Sequence, residues 1–154
     1  MIIDHICYRV ATTEEYNIRK EELLKLGTLL IENPIGGRLI STFKLLNPIA
    51  FHDRNIYLIE LPSPKKGSFY NSGLEHVEIV TTKKLEEFQL DYPDVTFNKK
   101  SFYKPVNRDL RFNSLFSNTN LSFRLDFEGN ISVKFHEDTL ENVINREIAE
   151  GLNN

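Results

Sequence analysis

Apolar and polar residues alternate along several stretches of this chain and switch to helical spacing between them. From Ile2 to Val10, one face carries Ile6, Tyr8 and Val10 and the other His5, Cys7 and Arg9, the period of a half-buried strand. Thr12 precedes Glu15 by three residues, the order of a capping box. Tyr16, Arg19, Leu23 and Leu26 then follow helical spacing from Glu14 to Leu26, and Gly27 offers a stop. Leu29 to Glu32 reads as a short strand or an extended lead-in. Gly36-Gly37 turns the chain into a strand over Arg38–Leu45, with Phe43 and Leu45 inward, Thr42 and Lys44 outward, and Pro48 expected to break it. Asn55 to Leu61 places Tyr57, Ile59 and Leu61 opposite Ile56, Leu58 and Glu60. Pro62 and Pro64 close that strand, because proline cannot donate to a ladder.

After an exposed connection through Lys65, Lys66 and Gly67 to Gly73, the order starts again. Leu74–Thr81 sets Val77 and Ile79 against His76, Glu78 and Val80. Thr81 or Thr82 is placed to cap a short helix to Leu90, with Leu85 and Phe88 buried. Val95–Phe97 is a weak strand, and Phe102–Arg111 is ambiguous because Pro105 interrupts it. Leu121–Phe127 alternates again, and Glu128-Gly129-Asn130 turns it into Ile131–Phe135. Leu140, Val143, Ile144 and Ile148 form the apolar side of a closing helix, before a frayed tail from Gly151.

Each half therefore runs strand, helix, three strands, and Asp4-His5-Ile6 is echoed by Glu75-His76-Val77. The expected architecture is α+β: paired βαβββ modules forming a curved mixed-sheet cup. Module one covers about residues 2–62, module two about 73–136, and the closing helix about 139–149, in one domain over 1–150. On this alignment Glu60, late in the fourth strand of the first half, is matched by His136 in the second.

Composition narrows the function classes. A chain of 154 residues with 40% hydrophobic content, eleven Phe and six Tyr can bury a core without disulfides or a structural metal. Its 19 basic and 22 acidic residues leave a formal charge of −3, which offers phosphate polymers and acidic membranes no long-range attraction. The best basic set, Lys99, Lys100, Lys104, Arg108 and Arg111, is modest, so nucleic acid is not an expected partner. Phe102, Tyr103, Phe112, Phe116 and Phe123 near it are explained more economically by core packing than by base stacking. A lone Cys7 precludes an internal disulfide and Cys-rich zinc sites, pointing to a reducing, cytoplasmic setting. The start has no signal-peptide pattern, and no apolar run approaches ~20 residues, so no membrane span is expected. Homodimerisation is compatible with the Phe-rich second half, as is internal packing.

The chemistry gathers on the polar strand faces. Three of four histidines lie there, with His5, Cys7 and Arg9, Glu60, His76 and Glu78, and Lys134 and His136 sharing one side. His5 and His76 offer neutral nitrogens and Glu60 an oxygen, a set suited to a borderline divalent ion. Either His136 or Glu78 could complete it, and Glu78 could instead orient a ligand or accept a proton. Arg9 and Lys134 would anchor an anionic substrate, with Arg38 and Lys44 on the same rim. The plainer readings are satisfied structural histidines, a rim salt bridge at Glu60, an exposed His52 and an inert buried Cys7.

Asp4-His5-Ile6 with Arg9, Phe43-Lys44-Leu45, Ile59-Glu60-Leu61-Pro62 with Pro64, Gly73 with Glu75-His76-Val77-Glu78-Ile79-Val80, and Val133-Lys134-Phe135-His136 together resemble the bacterial YecM-like family. The resemblance spans about residues 2–148. It implies membership of the vicinal-oxygen-chelate superfamily, which includes glyoxalases, extradiol dioxygenases and epimerases. It also implies a divalent metal in the cup, held from the first and fourth strands of each module. Carried onto this chain those positions are His5, Glu60, His76 and His136, and histidine at the last leaves ligand number and metal (Zn, Ni, Mn or Fe) open. Two functions follow as expectations. One is a metalloenzyme acting on a small anionic oxygenated metabolite, with Glu78 and His136 as proton-transfer groups. The other is a non-catalytic small-molecule-binding module using the same cup.

Overall fold

The computed structural model describes the backbone of residues 1–102 and 120–149, and the side chains of 1–98 and 122–149. Two βαβββ units follow one another. The first is β1 (Ile2–Arg9), α1 (Thr13–Leu26), β2 (Gly27–Ile35), β3 (Arg38–Phe51) and β4 (Arg54–Pro62). The second is β5 (Gly73–Val80), α2 (Leu85–Leu90), β6 (Asn98–Phe102), β7 (Asn120–Phe127) and β8 (Ile131–His136), and α3 (Leu140–Ala149) closes the chain. All eight strands share one sheet in the order β2-β3-β4-β1-β5-β8-β7-β6. In each unit the first strand runs parallel to the fourth, and β1 and β5 join the units antiparallel. This is the expected α+β architecture with a mixed sheet.

Alternation sorts the two faces. One face packs Tyr8, Val10, Phe43 and Leu61 beneath Tyr16 and Leu23 of α1. In the second unit it packs Ile79, Phe123, Leu125, Val133 and Phe135 with Leu85 and Phe88 of α2 and with Phe97. The Phe97 and Phe123 rings stack with centroids 5.4 Å apart, so Phe123 is a core residue. The opposite face carries the polar residues. On α1 the buried stripe is narrower than its spacing predicts: Tyr16 is buried, while Leu26 is exposed and Arg19 pairs with Glu22. The Tyr16 hydroxyl reaches Glu32 and Ser41, satisfying a polar group that the core would otherwise strand.

Several boundaries differ from expectation for local reasons. Thr12 caps α1 through Glu15 N as the motif predicts. Gly27 leads straight into β2, and a β-carbon there would overlap the Lys44 carbonyl oxygen, so β2 crosses onto β3 only because the residue is glycine. Pro48 does not end β3. The ladder to β4 shifts register between Lys44 and Ile49, which leaves Pro48 in an irregular stretch, and pairing resumes at Ile49–Ile56. Val95–Phe97 is not a strand; Val95 and Phe97 fill the core and β6 starts at Asn98. Neither Thr81 nor Thr82 caps α2. Thr81 instead donates to the Lys83 and His136 carbonyls, and Glu137 accepts from Leu85 N at 2.9 Å. The readings over Phe102–Arg111, at Phe112 and Phe116, and for the tail from Gly151 lie outside the described residues.

Candidate metal centre

β1 lies between β4 and β5, so the polar positions of three strands become neighbours. Cys7 pairs with Glu60 on one side and His76 on the other, and His5 pairs with Leu58 and Glu78. His5, Glu60, His76 and Glu78 each present a ligand-type atom, all within 4.8 Å of one another. His5 Nε2 stands 3.6 Å from both Glu60 Oε2 and Glu78 Oε2. His76 Nε2 stands 3.6 Å from Glu60 Oε2 and 3.1 Å from Glu78 Oε1. The two rings meet edge to face, centroids 6.1 Å apart, and both are buried.

Two acidic residues missed by the sequence reading stand behind these rings, Asp4 in hydrogen-bond contact and Glu75 further off. Asp4 Oδ2 lies 2.8 Å from His5 Nδ1 and accepts the Leu140 amide at 2.9 Å. In the neutral ring this contact would keep the proton on Nδ1, leaving Nε2, which has no aligned hydrogen-bond partner, to face Glu60 and Glu78. Glu75 takes the mirrored post, 3.7 Å from His76 Nδ1, and is itself held by Arg38 at 3.2 Å. The signal was present in the sequence: each repeat sets an acid directly before its histidine.

The field here favours positive charge. Burial opposes protonation of His5, but Glu60 and the Asp4 hydrogen bond outweigh it and raise the pKa to about 9. Burial also works against His76, yet contacts with Cys7, Glu60, Glu75 and Glu78 push it up to about 12. Burial would raise the Glu60 and Glu78 carboxyls; their cationic neighbours prevail and hold both below the usual carboxylate range. Burial lifts the Cys7 thiol to about 11, which keeps it a thiol rather than a nucleophilic thiolate.

The other sequence candidates take distinct places. Lys134 Nζ lies 2.7 Å from Glu78 Oε1 and 3.0 Å from His76 Nε2. His136 is outside the converging four; its Nε2 sits 2.7 Å from Glu78 Oε2, in a contact without hydrogen-bond alignment. The expected match of His136 with Glu60 does not hold. Register pairs Cys7 with Glu60 and Glu78 with Lys134, so the mate of Glu60 is Lys134, and His136 falls two pairs further along, opposite Val80. Arg9 is spent on loops: its guanidinium donates to the Asn71, Gly129 and Asn130 carbonyls and lies over Tyr70. Lys44 pairs with Glu141 of α3 at 2.6 Å, and Arg38 reaches the centre only through Glu75. His52 is exposed in the β3–β4 turn.

The family model described as YecM protein matches residues 1–147. This chain belongs to the YecM family. The Escherichia coli Protein YecM is 39% identical over 80 residues, a match taking in 50% of this chain and 41% of that protein. The YecM-family chain thus spans less than half the length of the curated relatives it matches. A structural-genomics protein, EC4020, superimposes with a TM-score of 0.73 at 24% identity, over 95% of this chain and 76% of its own. A variant of Streptomyces coelicolor methylmalonyl-CoA epimerase, in complex with 2-nitronate-propionyl-CoA, gives a TM-score of 0.52 at 13% identity over 88% and 96%. At these identities the likeness is one of fold, and it is the vicinal-oxygen-chelate fold. Among the described residues no helix is long and apolar enough to cross a membrane.

Proposed function

We propose that this YecM-family protein is a cytoplasmic divalent-metal protein that binds a small anionic, oxygenated metabolite in its polar cup. His5, Glu60, His76 and Glu78 would hold the ion. The observation that carries this reading is the buried His5 Nε2, which has no hydrogen-bond partner and faces two carboxylates while Asp4 holds the far side of the ring. Two converging carboxylates favour positive charge between them, which protons on the histidines or a metal ion would supply, and an N2O2 donor set suits a borderline ion such as zinc.

Such an ion would supply Lewis-acid stabilisation of a developing oxyanion. The chain's own residues would do the rest. Lys134, 16% exposed at its side chain, is the cation positioned to pair with a substrate carboxylate. Glu78, touching both His76 and His136, is the candidate base that would take a proton from the substrate, with His136 beside it to relay that proton. The non-catalytic reading of the same cup differs only in this last step.

The test is elemental analysis of tag-free protein beside a His5→Ala/His76→Ala double variant. The proposal expects near-stoichiometric metal in the native protein and loss in the variant. Equal, substoichiometric metal in both rejects it. Turnover of candidate oxyacids by the metal-loaded protein, set against simple retention, then separates enzyme from binder.

A further inference from the structure

We propose that Lys134 competes with the metal ion for the His76 lone pair and thereby sets how tightly the site holds its ion; this rests on the metal reading above. The Lys134 ammonium stands 3.0 Å in front of His76 Nε2, and because it has three donors and no acceptor, it is the donor to that nitrogen whenever His76 is in the unprotonated form that metal ligation requires. An imidazole nitrogen has one lone pair. It can accept from Lys134 or ligate a metal, but not both. The same ammonium donates to Glu78 Oε1 at 2.7 Å, so it engages two of the four candidate ligands at once.

The two-fold arrangement shows why this residue is unusual. In the first unit, the β4 position beside Cys7 carries Glu60, whose carboxylate faces both histidines. In the second unit, the equivalent β8 position beside Glu78 carries Lys134. Glu78 itself stands where the first unit has Cys7, so the second carboxylate has moved one strand over and its former place holds a cation. A metal ligated by His76 therefore displaces Lys134, whose flexible four-carbon stem lets it swing aside while staying within the cup. Displaced, it is a free ammonium next to the ion, available to an anionic ligand.

The experiment is zinc affinity by chelator competition for native protein, Lys134→Met and Lys134→Gln, with circular dichroism confirming fold. The methionine variant loses the competitor and should bind zinc about ten- to a hundredfold more tightly, the worth of a charged hydrogen bond. The glutamine variant lacks the charge but retains an N–H donor for His76, so it should fall between. Unchanged or weaker binding in the methionine variant overturns the competition. An equal gain in both variants also overturns it, because charge alone would then account for the effect. If neither native protein nor methionine variant binds zinc, the metal reading itself fails.

Discussion

Asp4 holds His5 at Nδ1 with a 2.8 Å contact, and the same carboxylate oxygen takes the first amide of α3, at Leu140. Ring orientation in the centre and docking of the closing helix thus share one atom. A carboxylate on the far nitrogen fixes the tautomer and raises the basicity of the near one.

Asp4→Asn keeps an acceptor for Leu140 but removes the charge behind His5. Metal affinity should fall about 10- to 100-fold while the fold persists. Chelator competition at constant pH measures it, and an unchanged affinity would deny Asp4 this role.

Stability of metal-stripped protein should decline on the alkaline side. His5 is raised from 6.5 to about 9 in the folded chain, because Glu60 and Asp4 outweigh burial. The folded state then binds the proton more tightly than the unfolded one. Its contribution is complete below about pH 6.5 and is lost as pH rises through 9. Thermal melts in chelator between about pH 6 and 10 should show the loss, and His5→Gln should flatten the curve.

Glu32 predicts the opposite limb. Lys20 and Ser41 hydrogen bonds, with Tyr16, hold its pKa near 2 against burial. Here the folded state resists the proton, so the stabilisation is present above 4.5 and disappears as pH falls through 2. Glu32→Gln should cost about 1–2 kcal/mol at neutral pH and reduce the acid sensitivity, read by urea unfolding at several pH values.

Gly27→Ala should destabilise by about 1–3 kcal/mol, since the added carbon meets backbone rather than a movable side chain. The melting temperature should drop by several degrees with the metal site's affinity unaltered. A neutral result would mean that β2 can shift away from Lys44.

Much of the molecule is legible in the chain itself. The alternation at Ile6, Tyr8 and Val10, at Tyr57, Ile59 and Leu61, and at Val77 and Ile79 marks the strand faces before any coordinates. It also places His5, Glu60, His76 and Glu78 on a common side. Pro48 misled because a proline's missing donor matters only where the ladder needs one, and the bulge before Ile49 removes that need. The capping of α2 misled because its acceptor, Glu137, comes from beyond β8.

What the sequence determines by itself is which way each side chain faces, because that follows from a period of two within a single strand. Which residue stands opposite which is decided only in the folded sheet, where bulges and packing set the register between strands far apart in the chain. That register put Lys134, not His136, in the place equivalent to Glu60 and Glu78 beside His5. It also made Arg9 a loop tether and turned Asp4 from a neighbour of His5 into its support. Side-chain direction is local, while partnership is a property of the whole sheet.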